Sequence, residues 1–314
     1  MQTFLTSYPL ILGEAAIAER LRRLDGIQLD PMVFNTPFIY DDNLAELMAD
    51  IHRQYYQVAR DFLLPIMSTA PTWRIDAQRI QLAGLPESVN RDAVDFLIQL
   101  RERTRTEFPA QPEIKIGALI GPQNDCYQPQ DAPAAADAEK FHRWQVEQLA
   151  TTQADYLMAQ TLPAVSEALG LAHAISQTDK PYILSFCIGP NGRILDGHSL
   201  ADAIDQIDNS VSRPPLAYFV NCAYPSFLQQ ALADHQTENP SSPLSHRLIG
   251  MQANSSSLDQ SQLDGAKQTQ QDSLSDWGEQ MLDLHRAGLR VLGGCCGTTD
   301  AHLNYIARHA KNHS

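Results

Sequence analysis

The feature that most constrains this chain is a rhythm: short apolar, β-branched runs recur along it with helical stretches between them. Eight runs stand out, Leu10 to Gly13, Phe62 to Thr69, Ile114 to Ile120, Tyr156 to Gln160, Tyr182 to Cys187, Leu216 to Asn221, Leu248 to Ala253 and Arg290 to Gly294. Runs that are apolar throughout belong to strands covered on both faces, the condition of a parallel sheet with helices packed over it. Between them Asn43 to Arg60, Asn90 to Phe108, Ala138 to Ala154 and Ser273 to Ala287 carry apolar residues three and four apart, the period of an amphipathic helix. Eight strand–helix units exceed what an open doubly wound sheet needs, and no Gly-x-Gly-x-x-Gly follows the first run. The expected fold is α/β, a (β/α)8 TIM barrel occupying residues 1–314 as a single domain.

Two stretches interrupt the rhythm, Gln123 to Asp137, rich in Pro, Ala and Gln, and Ser255 to Ser275, rich in Ser, Gln and Asp. Both are expected as long surface loops. Each directly follows an expected strand, on the face where barrel enzymes build their sites, which makes each a candidate lid. A formal charge of −14 with no run of Lys or Arg argues against a nucleic-acid partner. No segment approaches the roughly 20 apolar residues that span a bilayer, and the first residues lack the pattern of a secretory signal. A cytoplasmic protein with no membrane partner is the expectation.

Five cysteines, two of them adjacent, fit a disulfide framework poorly and reduced thiols better. In Arg290 to Asp300, RVLGGCCGTTD, an apolar strand ends in two glycines, the pair Cys295 and Cys296, and a third glycine. Glycines there permit the tight path and close approach that let adjacent side chains reach one point. Leu216 to Cys222, LAYFVNC, likewise delivers Cys222 at a strand end. In a barrel the sixth and eighth strands end on the same rim. Three thiolates from that rim would leave one position of a tetrahedral zinc free, as in catalytic rather than structural sites. The competing account is three buried reduced cysteines that bind nothing. Cys126 and Cys187 read as incidental thiols, and His142, His173 and His285 as ordinary helix residues.

At these motifs the sequence resembles the homocysteine S-methyltransferases. GGCCGTT at Gly293 to Thr299, joined to VNC at Val220 to Cys222, carries the resemblance most specifically. MSTAPTW at Met67 to Trp73, IGP at Ile120 to Pro122, QTLPAVSEA at Gln160 to Ala168, LDGHSL at Leu195 to Leu200 and ANSSS at Ala253 to Ser257 follow the same order. The resemblance implies zinc on Cys222, Cys295 and Cys296, with homocysteine as thiol acceptor and fourth ligand. Asn254 matches a position that fills the fourth site in some relatives when substrate is absent. Ser68, Thr69 and Asn221 stand in matching motifs as substrate-binding candidates.

Two positions depart from the family pattern. Its Asp-Gly-Gly after the first strand reads Gly13-Glu14-Ala15 here, so Glu14 is the candidate for the acceptor's ammonium; the alternative is a charge at the start of a helix over Ala15 to Leu24. Its Glu-Thr-Leu-Pro reads Gln160-Thr161-Leu162-Pro163, a neutral amide where a carboxylate is expected. The donor chemistry implied is a sulfonium, a quaternary ammonium or a methylated corrinoid; Trp73 or Tyr224 could offer an aromatic face to a cation, though core packing is the role favoured for each. Methylation of a different thiol or a selenol, a non-catalytic zinc barrel, and the acceptor half of a corrinoid assembly are the alternatives.

Overall fold

Apolar runs too short for a helix and too apolar for an exposed strand become the staves of a barrel. The computed structural model describes residues 1–238, 244–258 and 271–310. The strands are β1 Ile11–Gly13, β2 Ile66–Ala70, β3 Ile114–Ile120, β4 Tyr156–Leu162, β5 Tyr182–Phe186, β6 Ala217–Asn221, β7 Leu248–Ala253 and β8 Val291–Gly294. All are parallel neighbours in chain order, and β8 pairs back onto β1 through Ile11 with Val291 and Leu12 with Leu292, closing the barrel. The expected TIM barrel is therefore the observed fold.

One long helix follows each strand: α1 Asp42–Phe62, α2 Val89–Glu107, α3 Ala135–Ala150, α4 Val165–Ser176, α5 Leu200–Ser210, α6 Pro225–Glu238, α7 Leu274–Arg286 and α8 Asp300–Ala310. Their starts are written in the sequence. The Asp41 carboxylate accepts from the amides of Asn43 and Leu44 at 3.0 and 3.1 Å and opens α1; Ser199 and Ser273 do the same for α5 and α7. In α7 the buried stripe Trp277, Met281, Leu284 faces the sheet, each side chain contributing roughly 1.5–3 kcal/mol by leaving water.

Some boundaries differ from expectation. Phe62 and Leu63 belong to the end of α1, not to β2: Leu63 takes a left-handed φ of 55° and its amide caps the carbonyls of Ala59 and Arg60. An apolar run cannot distinguish the last turn of a helix from the first residue of a strand. The helix expected over Ala15 to Leu24 is only Ala18–Arg22, and α3 begins at Ala135, inside the stretch expected as loop through Asp137. Of the expected loop Ser255 to Ser275, residues 259–270 lie outside the described residues.

The interior of the barrel has its own core, with Ile11, Met67, Tyr156, Met158, Ile183 and Phe219 among its buried members. Gly117 and Gly250 make room for rings: a Cβ on either would lie 2.5 Å from Tyr156 or 2.6 Å from Phe219. Phe4 and Leu5, on the short helix Gln2–Ser7, join this core and plug one end. The open end is the one where the strands finish. Alternation along β8 turns Val291 into the core, so Gly293 and then Cys295 follow on the inner side as the strand leaves the barrel.

Candidate active site

Beyond the last strand residues, backbone hydrogen bonds knit β6, β7 and β8 into one rim. The Cys295 amide donates to the Ala253 carbonyl at 2.7 Å, Ser255 to the Cys296 carbonyl at 3.0 Å, and Cys222 to the Gln252 carbonyl at 3.2 Å. The Thr298 hydroxyl donates to the Cys295 carbonyl at 2.6 Å, and Gly297 turns the chain at a φ of 79°, where other residues are strained. In a continuing strand adjacent cysteines would point to opposite faces; this turn brings both to one place. The Sγ atoms of Cys222 and Cys295 are 2.7 Å apart, and all three sulfurs lie within 4.8 Å of one another. None is in a disulfide.

Cys222 is itself set by strain and by hydrogen bonds. It holds a φ of 52°, and Thr161 at the end of β4 a φ of 65°, both unusual for side chains with a Cβ. Asn221 ties the two together. Its Oδ1 accepts from the Thr161 amide at 2.9 Å and the Ser185 hydroxyl at 2.6 Å, while its Nδ2 donates to Thr161 Oγ1 at 2.8 Å and Cys222 Sγ at 3.2 Å. Asn221 is wholly buried with its amide committed inside the protein. It positions a thiol and does not reach the cavity, unlike the substrate contact expected of it.

The electrostatics of the cluster call for a cation. Hydrogen bonds from Cys295 and Cys296 hold the Cys222 thiol well below its ordinary pKa. Their contacts with Cys222, aided by burial, push Cys295 well up and Cys296 to about 12. One thiolate is stabilised by the protein alone; three at this spacing require a positive ion between them. Three soft donors converging in this way could hold a metal ion. Asn254 lies beside them, but its Oδ1 accepts from the Cys296 amide at 3.2 Å and so braces the turn.

The second part of the site is a buried acid. Glu14 follows β1 and is not at a helix start, since the next helix is capped at Ile17. The Ser68 hydroxyl and Thr69 amide donate to its Oε2 at 2.6 and 3.0 Å, and the Thr69 hydroxyl donates to Oε1. Burial nevertheless pushes its carboxyl up to about 7 against these three hydrogen bonds. His52 on α1, which sequence reasoning missed, sits with Nδ1 3.0 Å from Ser68 Oγ and is held neutral by burial, its pKa down to about 3. Ser68 therefore supports Glu14 from behind, while Thr69 and Glu14 line the cavity.

The cavity over these groups measures about 950 Å³, room for two amino-acid-sized molecules by the usual scale of small-molecule sites. Gln160 lines it and donates through Nε2 to Gln252 Oε1 at 2.7 Å, so the neutral amide found in place of a carboxylate has a neutral partner. Trp73, Arg74, Cys126 and Tyr127 also line it. Tyr224 is not there: it is buried against Phe227 and Gln280 behind the rim, which removes it as a face for a bound cation. His142 pairs with Glu167 at 2.9 Å beneath the loop after β3, where Glu167 also accepts from the Gln123 amide at 2.6 Å. No helix among the described residues is long and apolar enough to cross a membrane.

Comparison with known proteins gives a consistent result. The family model described as homocysteine S-methyltransferase matches residues 11–310. Homocysteine S-methyltransferase YbgG of Bacillus subtilis is 24% identical over 99% of this chain and 98% of its own length. Homocysteine S-methyltransferase of Escherichia coli is 21% identical over 96% of both. The metallated form of the homocysteine methyltransferase MmuM from Escherichia coli superposes with a TM-score of 0.76 at 20% identity, covering 98% of each chain.

Proposed function

The chain belongs to the homocysteine S-methyltransferase family, and on that premise we propose that Cys222, Cys295 and Cys296 hold a zinc ion beside which homocysteine accepts a methyl group from a small onium donor. The observation that carries this reading is the convergence of three free thiols on the inner rim of a cavity large enough for both substrates. The similar Escherichia coli enzyme has been crystallised in a metallated form, and five free thiols suit a reducing cytoplasm. Zinc, when bound, lowers the pKa of the acceptor thiol so that it meets the donor as a thiolate.

The remaining chemistry falls to the protein. A bond forms between the acceptor sulfur and the methyl carbon as the bond from that carbon to the donor's cationic atom breaks, and the electron pair leaves with the donor, which becomes neutral. No general base is needed at that step. Glu14 receives the acceptor's ammonium, and Thr69 with Ser68 fixes its carboxylate in direction. Asn221 and Thr161 keep Cys222 aimed, and the cavity wall aligns sulfur, methyl and leaving atom, which is where most of the acceleration comes from.

The direct test is zinc content together with methionine formation from homocysteine and a methyl-labelled donor. About one zinc per chain and labelled methionine are expected; a protein that moves no label to any thiol contradicts the reading, and one that prefers a different thiol contradicts the acceptor. A pH series adds detail. Below pH about 7 Glu14 is protonated in the empty cavity and offers no charge, so kcat/KM for homocysteine should rise as pH climbs through 7. Glu14→Gln should lose that rise and lower kcat/KM roughly ten- to a hundredfold, the worth of a charge-assisted hydrogen bond. A Glu14→Gln enzyme with wild-type homocysteine kinetics across the range would remove Glu14 from substrate binding.

A further inference from the structure

A serine hydroxyl has one proton to give, and at Ser68 it is committed. Ser68 Oγ donates to Glu14 Oε2 at 2.6 Å, while His52 Nδ1 lies 3.0 Å from the same Oγ and 3.6 Å from that carboxylate oxygen. Ser68 then has only lone pairs to offer His52, so the hydrogen of this contact must come from Nδ1. The opposite tautomer, with its proton on Nε2, would turn the Nδ1 lone pair toward a carboxylate oxygen in a dry site and compete with Glu14 for the serine proton. Burial excludes the charged imidazolium by pushing the His52 pKa down to about 3. The strand explains how these groups meet. Alternation along β2 turns Met67 into the barrel core and Thr69 to the cavity, so Ser68 turns outward, where α1 brings His52 to it.

We propose that His52 is a positioning residue for the acceptor: as the Nδ1–H tautomer it donates to Ser68, holds the serine proton on Glu14, and so fixes the carboxylate that receives the acceptor's ammonium. The inference rests on the reading of Glu14 given above and deepens it by assigning the residue behind the acid. His52 borders the cavity but is only 1% exposed, so its ring acts through Ser68 and not on the substrate itself. Donors aligned head to tail polarise one another, and away from water each counts for more than it would at the surface. Loss of the His52 donor lets the serine hydroxyl swing and withdraws that polarisation, which weakens the hold on the ammonium and makes the carboxylate harder to ionise. The phenols of Tyr55, Tyr56 and Tyr156 also feel the Glu14 charge; burial raises all three, so they stay neutral where Glu14 titrates, near 7.

The test compares wild type, His52→Asn and His52→Gln as metal-loaded full-length proteins. The amide nitrogen of Asn stands as far along the side chain as Nδ1 and keeps a donor to Ser68; that of Gln lies one atom further out, although Gln fills more of the ring's volume. Nitrogen NMR of imidazole-labelled protein, with the His52 signals identified by their loss in the Asn variant, should show a neutral Nδ1–H ring at about pH 8. Calorimetry measures homocysteine binding without turnover. His52→Gln should raise the KM and Kd for homocysteine about two- to tenfold and leave kcat at saturating homocysteine within about twofold. It should also move the rise of kcat/KM to a pH above the wild-type one near 7. His52→Asn should stay within about twofold of wild type in each respect, despite leaving the larger gap. An Nε2–H or charged ring, a greater loss in the Asn variant than in the Gln variant, which is the order packing alone would give, unchanged homocysteine binding in both, or no wild-type binding of homocysteine would each overturn the inference. A wild type that binds homocysteine with this dependence on His52 yet transfers no methyl would sustain it while defeating the methyl-transfer reading; methionine formed with equal ease by the Gln variant would do the reverse.

Discussion

Serine in place of Cys296 is expected to strip the protein of zinc and to lower methyl transfer by about a thousandfold or more. Changes in residues that merely orient metal ligands cost roughly 10–100-fold in affinity or activity, and removal of a ligand must exceed that. Serine keeps the size of the side chain but supplies an alcohol that stays protonated at neutral pH, so the site would fall from three thiolates to two. The backbone should tolerate the change, because the turn is held by main-chain and Asn254 hydrogen bonds that do not involve the Cys296 sulfur. Metal analysis, a methyl-transfer assay and a thermal melt separate the effects: metal and activity should fall while the melt of the metal-free protein stays near that of metal-free wild type. A Cys296→Ser protein with full zinc and activity would refute the three-thiolate site.

The contrast between Cys296 and His52 shows what a sequence can and cannot disclose. Cys295 and Cys296 were legible because their setting is local: the strand, the glycines and the turn are contiguous, and the need for glycine is visible in the letters. Cys222 was legible because a barrel returns every strand end to one rim. His52 acquires its significance from Ser68 and Glu14, which no period or spacing reports. Asn221 carried the right motif and a different role, since its partners Thr161 and Ser185 come from other strands.

The fold was legible for a related reason. Strands covered on both faces keep an apolar signature, whereas helix ends depend on single residues such as Leu63, whose left-handed backbone is not implied by its type. Helix α4 shows the opposite limit. Val165, Ala168, Leu171, Ala172 and Ile175 are buried, and Glu167 is buried with them through its contacts to His142 and Gln123. A helix enclosed on most sides loses the polar face that would mark its period.

The closing seam of the barrel supplies the second large expected effect. A Cβ on Gly293 would lie 2.8 Å from the Glu14 carbonyl oxygen, 2.8 Å from Gly13 Cα and 2.9 Å from Gly13 C, all of them backbone atoms of β1 or its extension. No side-chain rotation relieves such a contact, so Gly293→Ala must push β1 away from β8. That movement strains the hydrogen bond from the Gly294 amide to the Glu14 carbonyl, 2.9 Å, which couples the acid end of the site to the thiol end. Overpacking a filled interior costs about 1–3 kcal/mol and occasionally more, and a backbone obstacle places this variant at the upper end. The reciprocal Gly13→Ala places its methyl 3.2 Å from Gly293 Cα, a milder contact, whereas Gly294→Ala places its methyl 2.6 Å from Thr298 Cβ, which no rotation of that side chain moves. Chemical denaturation should therefore rank Gly13→Ala as the least destabilised of the three, and Gly293→Ala should impair both KM for homocysteine and metal retention because Glu14 and Cys295 move together. Equal stabilities across the series would mean that the seam yields easily, and the separation of acid and thiols would then have to be set elsewhere in the rim.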